Sequence, residues 1–382
     1  MLQVETYQAF GASAGEAEEL CRYDERVYGL DVARKTSLPL ADEPFVAVWE
    51  SWLAEAEASA DAPLTALASH LPQLRFPVEE GMSQNAAYRR ATLSGVDAGT
   101  LPEATGLHFS RPEAVELKIY NSFAGRIPLL ISRQREAFVT LVRALARRNE
   151  PVDVPDSQGA SMVSGLANWE RIRAHRAAWE ARPENEREAA TWPEEFARLR
   201  QRPESYRDRF ILLSDGPYSA VPADALGLDE DRWREISLII RREHECTHYL
   251  TRRVFGTMRN HLLDELIADY TGMVAAVGAF RADWFLRFLG LEDFPHCRDD
   301  GRIGIYRGKP PLSDGAFAVL QAVVKAAAEN LERFDREYFT DGQDRSTESR
   351  GQMILALATA SLAGLAFEGW RERIEGALAS IG

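Results

Sequence analysis

His244 and His248 stand four residues apart in a stretch whose apolar residues recur at helical spacing, and this pair constrains the chain more than any other feature. A helix turns about 100° per residue, so side chains four apart project side by side, within about 40° around the axis. On a helix over 230–255, Trp233, Ile236, Ile240, Thr247, Leu250 and Val254 form a core-facing stripe. Arg242, Tyr249 and Arg253 fall opposite, toward solvent, and Cys246 points away from the histidines as a packing residue. His244, His248, Glu245, Arg241 and Arg252 fill the sector between, where a helix lining a cleft carries its working side chains.

Two imidazoles on one side of a helix can share a cation, and a catalytic zinc takes three protein ligands with a fourth position open. Downstream, Gly256 ends the first helix and lets the chain turn back. The run His261-Leu262-Leu263-Asp264-Glu265-Leu266-Ile267-Ala268-Asp269 follows, and on an antiparallel neighbour Glu265 faces the histidine pair as third ligand. Ala268, Gly272 and Ala276 lie near Glu265 on that helix and are small enough for close approach. Asp269, one turn beyond Glu265, is placed to accept the remaining ring N–H of a liganding histidine. Arg241 lies close to His248 around the helix and is expected to border the cleft, holding Asp269 or a substrate carboxylate.

His-Glu-x-x-His on one helix with Glu-x-x-x-Asp on the next resembles the gluzincin metallopeptidases. The resemblance covers only about residues 232–280. It implies Zn2+ held by His244, His248 and Glu265, with Glu245 as general base and Asp269 orienting a histidine. A Tyr or His steadies the oxyanion in that group, and His296, Tyr306, Tyr218, Tyr249 and Tyr270 are all open candidates here. Arg242 departs from the usual pattern, which has an uncharged residue two positions before the first histidine.

Composition narrows the remaining classes. With 59 acidic residues against 45 basic and a net charge of -14, the chain would repel a phosphate backbone, so no nucleic-acid partner is expected. Cys21, Cys246 and Cys297 make neither a disulfide framework nor a paired-cysteine metal knuckle. The apolar stretch from Gln352 to Glu368 is too short and too rich in small residues to span a bilayer and reads as a buried helix. The start of the chain lacks a basic end and an apolar stretch, so a cytoplasmic location without membrane association is expected.

The expected fold class is α+β, mainly α. Residues 1–205 form a mixed α/β region of unassigned role, and residues 206–382 a helical, zincin-like metal-binding catalytic domain. Residues 1–106 read as helices with polar loops. Val115 to Ser132 predicts a hairpin around Asn121-Ser122-Phe123-Ala124-Gly125, with a helix over about 133–148 after it and then a loop over 151–165 that is mobile unless something orders it. The charged, proline-broken stretch 182–209 reads as a solvated connector. Further helices are expected near 261–280, 313–339 and 347–379. The 313–339 segment repeats Phe317, Leu320, Val324, Ala327, Leu331, Phe334 and Tyr338 as a core stripe. His70, His108 and His175 read as surface or loop residues.

The favoured activity is metal-assisted hydrolysis of an amide, most readily a peptide bond, with the hairpin as an edge for an extended substrate. Two other readings stay open. One is a zinc hydrolase of a small non-peptide amide. The other is a zinc-ordered binding or maturation protein without turnover, for which a fourth ligand, His261, would close the site.

Overall fold

The computed structural model describes residues 2–25, 28–58, 63–184, 187–256, 261–340 and 346–381. The chain is mainly helical with one small sheet and divides into two compact units. A helical unit combines Met1–Leu40, Ser122–Ala124 and Pro217–Gly382, and a sheet unit combines Ala41–Asn121 and Gly125–Gly216. The boundary expected between 205 and 206 therefore moves to 216/217, and the first forty residues join the helical unit. The reason is a strand the sequence reading missed, since Arg207–Ser214 is part of the sheet.

The sheet has the order β1-β2-β4-β3, with β1 at Val115–Ser122, β2 at Gly125–Ser132, β3 at Ala160–Ala167 and β4 at Arg207–Ser214. β1 and β2 form the expected hairpin. β2 runs parallel to β4, with Leu129 opposite Ile211 and Leu130 opposite Leu212, so the long intervening chain is the crossover that parallel neighbours need. β3 lies antiparallel on the outer side of β4 with a bulge between Ser164 and Leu166. Part of the loop expected over 151–165 is thus ordered as a strand. Its small and polar residues carry little strand signal of their own, and pairing with the fully buried run Phe210-Ile211-Leu212-Leu213 supplies the order.

Trp49, Trp52, Phe138, Leu141, Leu130 and Phe210 lead the core of this unit. Asp208 is buried within it and accepts hydrogen bonds from Trp49 Nε1 at 2.8 Å, Asn168 Nδ2 at 2.7 Å and Arg171 Nη1 at 2.9 Å. The stretch 182–209 is likewise more than a solvated connector. Thr191 and Glu194 form a reciprocal cap on the helix Trp192–Leu199, whose Leu199 packs with Ile172 and Tyr206.

In the helical unit the segments Glu230–Phe255, Leu262–Val277 and Asp314–Thr340 form helices close to the expected bounds. Leu320, Val324, Ala327, Leu331 and Phe334 are buried, as their spacing requires. The single helix expected over 347–379 is instead three: Thr347–Ala358, Leu362–Ala366 and Trp370–Ile381. Buried Asp24 accepts the Leu362 and Ala363 amides at 3.2 Å each, and Ser361 Oγ accepts Gly364 N at 3.0 Å, which starts a new helix there. Among the described residues no helix is long and apolar enough to cross a membrane.

Candidate metal centre

Two helices build the site. The histidine helix, Glu230–Phe255, starts at Asp229, whose side chain accepts Arg232 N, and ends at Gly256 with φ of 73°. The glutamate helix, Leu262–Val277, starts at His261, whose Nδ1 accepts Leu263 N at 3.2 Å while Nε2 meets the Tyr23 carbonyl at 2.7 Å. Gly272 sets how closely the two pack. A Cβ on it would come within 2.8 Å of the Ile240 carbonyl oxygen, so only glycine lets the backbones approach this far.

At this crossing His244, His248 and Glu265 converge, all buried, with one ligand atom from each within 4.8 Å of the others. The two Nε2 atoms are 3.0 Å apart. Glu265 Oε2 lies 3.6 Å from His244 Nε2, and Glu265 Oε1 lies 3.4 Å from His248 Nε2. Glu265 Oε2 and His248 Nδ1 are buried without a hydrogen-bond partner among the described residues. Buried polar atoms are rarely left so, and a cation held by the two Nε2 atoms and the carboxylate would satisfy the orphaned Glu265 oxygen, while His248 Nδ1 points away from the cluster. This donor set fits a divalent transition metal.

The supporting shell fixes the chemistry of one histidine. His244 Nδ1 is 2.7 Å from Asp269 Oδ1, so its N–H donates to that carboxylate and its Nε2 lone pair faces the cluster. Tyr218 donates its hydroxyl to the same Asp269 oxygen at 2.5 Å. Arg302 reaches the other oxygen of Asp269 at 3.1 Å and lies 3.8 Å from Glu265 Oε2.

Both latter groups open short 3-10 turns, Tyr218–Ala220 and Arg302–Tyr306. Ser219 and Ala220, with φ of 53° and 57°, turn the chain sharply after Tyr218, and Ser237 Oγ accepts Tyr218 N at 3.0 Å. Arg302 follows Gly301, where a Cβ would come within 2.7 Å of the Leu289 carbonyl oxygen.

Electrostatics tie the cluster together. Burial would lower the pKa of His248, but its hydrogen bond to Glu265 and the charges of Glu265, Glu245 and Asp264 raise it to about 9. Burial would raise that of Glu265, yet the bond to His248 and the charges of His244, His248 and Arg302 hold it well below the usual carboxylate range. Burial and the neighbouring Glu265, with which it hydrogen-bonds, push the Tyr306 phenol far up, so it stays protonated.

The structure thus brings together four of the five residues singled out from sequence. The fifth, Glu245, follows His244 directly and is only partly buried. Arg241 is buried, donates to the Pro217 carbonyl at 3.1 Å and lies over the Tyr218 ring. Arg302, which the sequence reading missed, is the cation on Asp269. Its only signal was the glycine-flanked turn around it. Tyr249, expected toward solvent, is fully buried, with the Arg253 guanidinium over its ring and Arg253 also bound to the Ala124 carbonyl. Tyr270 donates to Asp335 at 2.8 Å, and His296 is exposed. His70 and His175 pair with Glu55 and Glu195, at 2.9 and 2.7 Å.

Residues 5–369 match DUF7005, a family of unknown function, and the chain belongs to that family. No curated protein and no solved structure matches the chain.

Proposed function

We propose that the chain is a zinc-dependent hydrolase that cleaves an amide bond, most readily that of a peptide, on a gluzincin-like plan. One observation carries the reading: two imidazoles and one carboxylate converge in a buried cluster, and Glu245, the residue after His244, acts on His248 through its charge. Two nitrogens and one oxygen are the ligand set of many catalytic zinc sites. Bound there, zinc would polarise a carbonyl and lower the pKa of a water molecule toward neutrality.

The chain's own residues have distinct parts in this proposal. Glu245 accepts the proton from the attacking water and passes it to the leaving amine nitrogen. Asp269 keeps the Nδ1 proton on His244, and Tyr218 and Arg302 hold Asp269 in place. Arg302 and Tyr306 steady Glu265. The arrangement also bears on the non-catalytic alternative, in which His261 was to close the site. Both His261 ring nitrogens have other partners, Tyr23 O and Leu263 N, and among the described residues no fourth His, Cys, Asp or Glu joins the cluster. Three ligands support an open position.

The test is a screen of peptide and small-amide libraries for zinc-dependent cleavage, repeated on the best substrate with Glu245→Gln at equal metal loading. Glutamine keeps the shape but cannot take the proton, so turnover should fall by roughly 10²–10⁴-fold while zinc content stays unchanged. A mutant that turns over at the wild-type rate removes Glu245 from the mechanism. Cleavage confined to small amides would replace the peptide reading.

A further inference from the structure

The sheet unit holds an open cavity of about 750 Å³ that the metal chemistry does not use. Five arginines line it: Arg89, Arg147, Arg148, Arg200 and Arg207. The chain has 59 acidic residues, yet none lines this cavity. Every one of the five lacks an ion-pair partner among the described residues; elsewhere in the unit Arg126, Arg171 and Arg209 are paired with carboxylates, and Arg75 and Arg143 donate to backbone carbonyls. Glu150, whose charge reaches the lining residue Tyr88, is itself bound to the Gly81 and Ser83 amides at 2.9 and 2.7 Å.

Two further observations mark a built site. Gln73 lines the cavity at 5 % exposure, and its Oε1 is buried without a partner. The turn at Arg148 and Asn149 has φ of 55° and 60°, a conformation costly for residues with side chains. Asn149 locks it by donating to the Gln73 and Phe76 carbonyls at 2.9 and 2.8 Å. Among the described residues the non-glycine positions with positive φ form just two pairs. One pair follows Tyr218 at the metal cluster, and the other is this turn, which presents Arg147 and Arg148 to the cavity.

The walls are aromatic and fixed. Trp169 donates to the Thr92 carbonyl at 3.1 Å and packs on Gly95, where a Cβ would fall 2.3 Å from its ring. The Arg200 and Arg207 guanidinium groups lie over Phe196 and Tyr206, at 5.6 and 5.5 Å from the ring centroids.

We propose that this cavity binds a small polyanion, a molecule with two or more phosphate or carboxylate groups on a flat apolar body. The arginines take the anionic groups, the Gln73 amide takes a polar group of the ligand, and the aromatic walls take the body. The inference is independent of the metal reading.

Calorimetric titration of the full-length chain tests it, with ATP and pyrophosphate as phosphate probes and citrate as the carboxylate probe. The same titrations use the double variants Arg147→Ser/Arg207→Ser and Arg89→Ser/Arg200→Ser, with Arg34→Ala as a control and His244→Ala to remove chelation at the metal cluster. Binding by at least one probe should persist in the Arg34 and His244 variants and weaken about tenfold or more in each double variant, since each loses two charge-assisted contacts. Binding by the phosphates alone or by citrate alone assigns the anion. Failure of all three probes to bind, or equal affinity in the double variants at unchanged melting temperature, overturns the proposal.

Discussion

The helical unit and the sheet unit place their polar groups in opposite ways. In the helical unit Glu265, Asp269, His244 and His248 are buried and face one another across two helices. In the sheet unit the arginines of the cavity are exposed and without ion pairs among the described residues, while the buried carboxylate Asp208 is saturated by three donors. A saturated buried carboxylate serves the fold. A buried cluster in which Glu265 Oε2 has ion pairs but no hydrogen-bond partner among the described residues can still accept a ligand there. The difference between structural and functional burial is thus one of satisfaction, and it can be broken at defined residues.

The largest stability effect should come from Asp208→Ala, which strands the Arg171 charge and the Trp49 and Asn168 donors. Removing one member of a buried ion pair costs about 3–5 kcal/mol. Denaturant unfolding followed by tryptophan fluorescence should show that loss in the sheet unit, with zinc content unchanged. A neutral result would mean that Asp208 does not hold the sheet unit together.

Asp269→Asn should act on the other side of the comparison. It replaces the charged acceptor that fixes the His244 tautomer with a neutral amide and takes the carboxylate from Arg302, so zinc affinity measured by chelator competition should fall about 10–100-fold and the melting temperature should fall with it. Affinity at the wild-type level would show that the His244–Asp269 contact does not tune the cluster. A smaller change is expected from Gly272→Ala. The added methyl group meets the Ile240 carbonyl and costs about 1–3 kcal/mol, read as a lower melting temperature.

Much of the His244–His248–Glu265 cluster was legible in the sequence because it rests on local repeats. The helical period places His244 beside His248 and Asp269 one turn beyond Glu265, and Gly272 announces the close crossing. Arg302 and Tyr218 reach the cluster on short turns whose paths depend on tertiary contacts, the Gly290–Gly301 approach and the Ser219–Ala220 turn, and no periodicity encodes those. The burial of Tyr249 was hidden for a similar reason, since the Arg253 guanidinium over its ring is held by the Ala124 carbonyl, more than a hundred residues away in sequence. In the sheet unit, β3 lacks alternation, and β4 combines charges with a short apolar run, so each is recognisable only from its partner. The arginine cavity collects residues from five stretches of chain and has no sequence motif at all.

The most direct test of the account is the zinc content of the purified wild-type chain, Glu265→Ala and Asp264→Ala, measured side by side by elemental analysis. Asp264 precedes Glu265, but it accepts a hydrogen bond from Tyr28 at 2.7 Å and is not part of the cluster, so the pair separates ligand from neighbour. The account predicts about one zinc per chain in the wild type and in Asp264→Ala, and almost none in Glu265→Ala. Zinc retained in Glu265→Ala and lost in Asp264→Ala, or no stoichiometric zinc in the wild type, would contradict it.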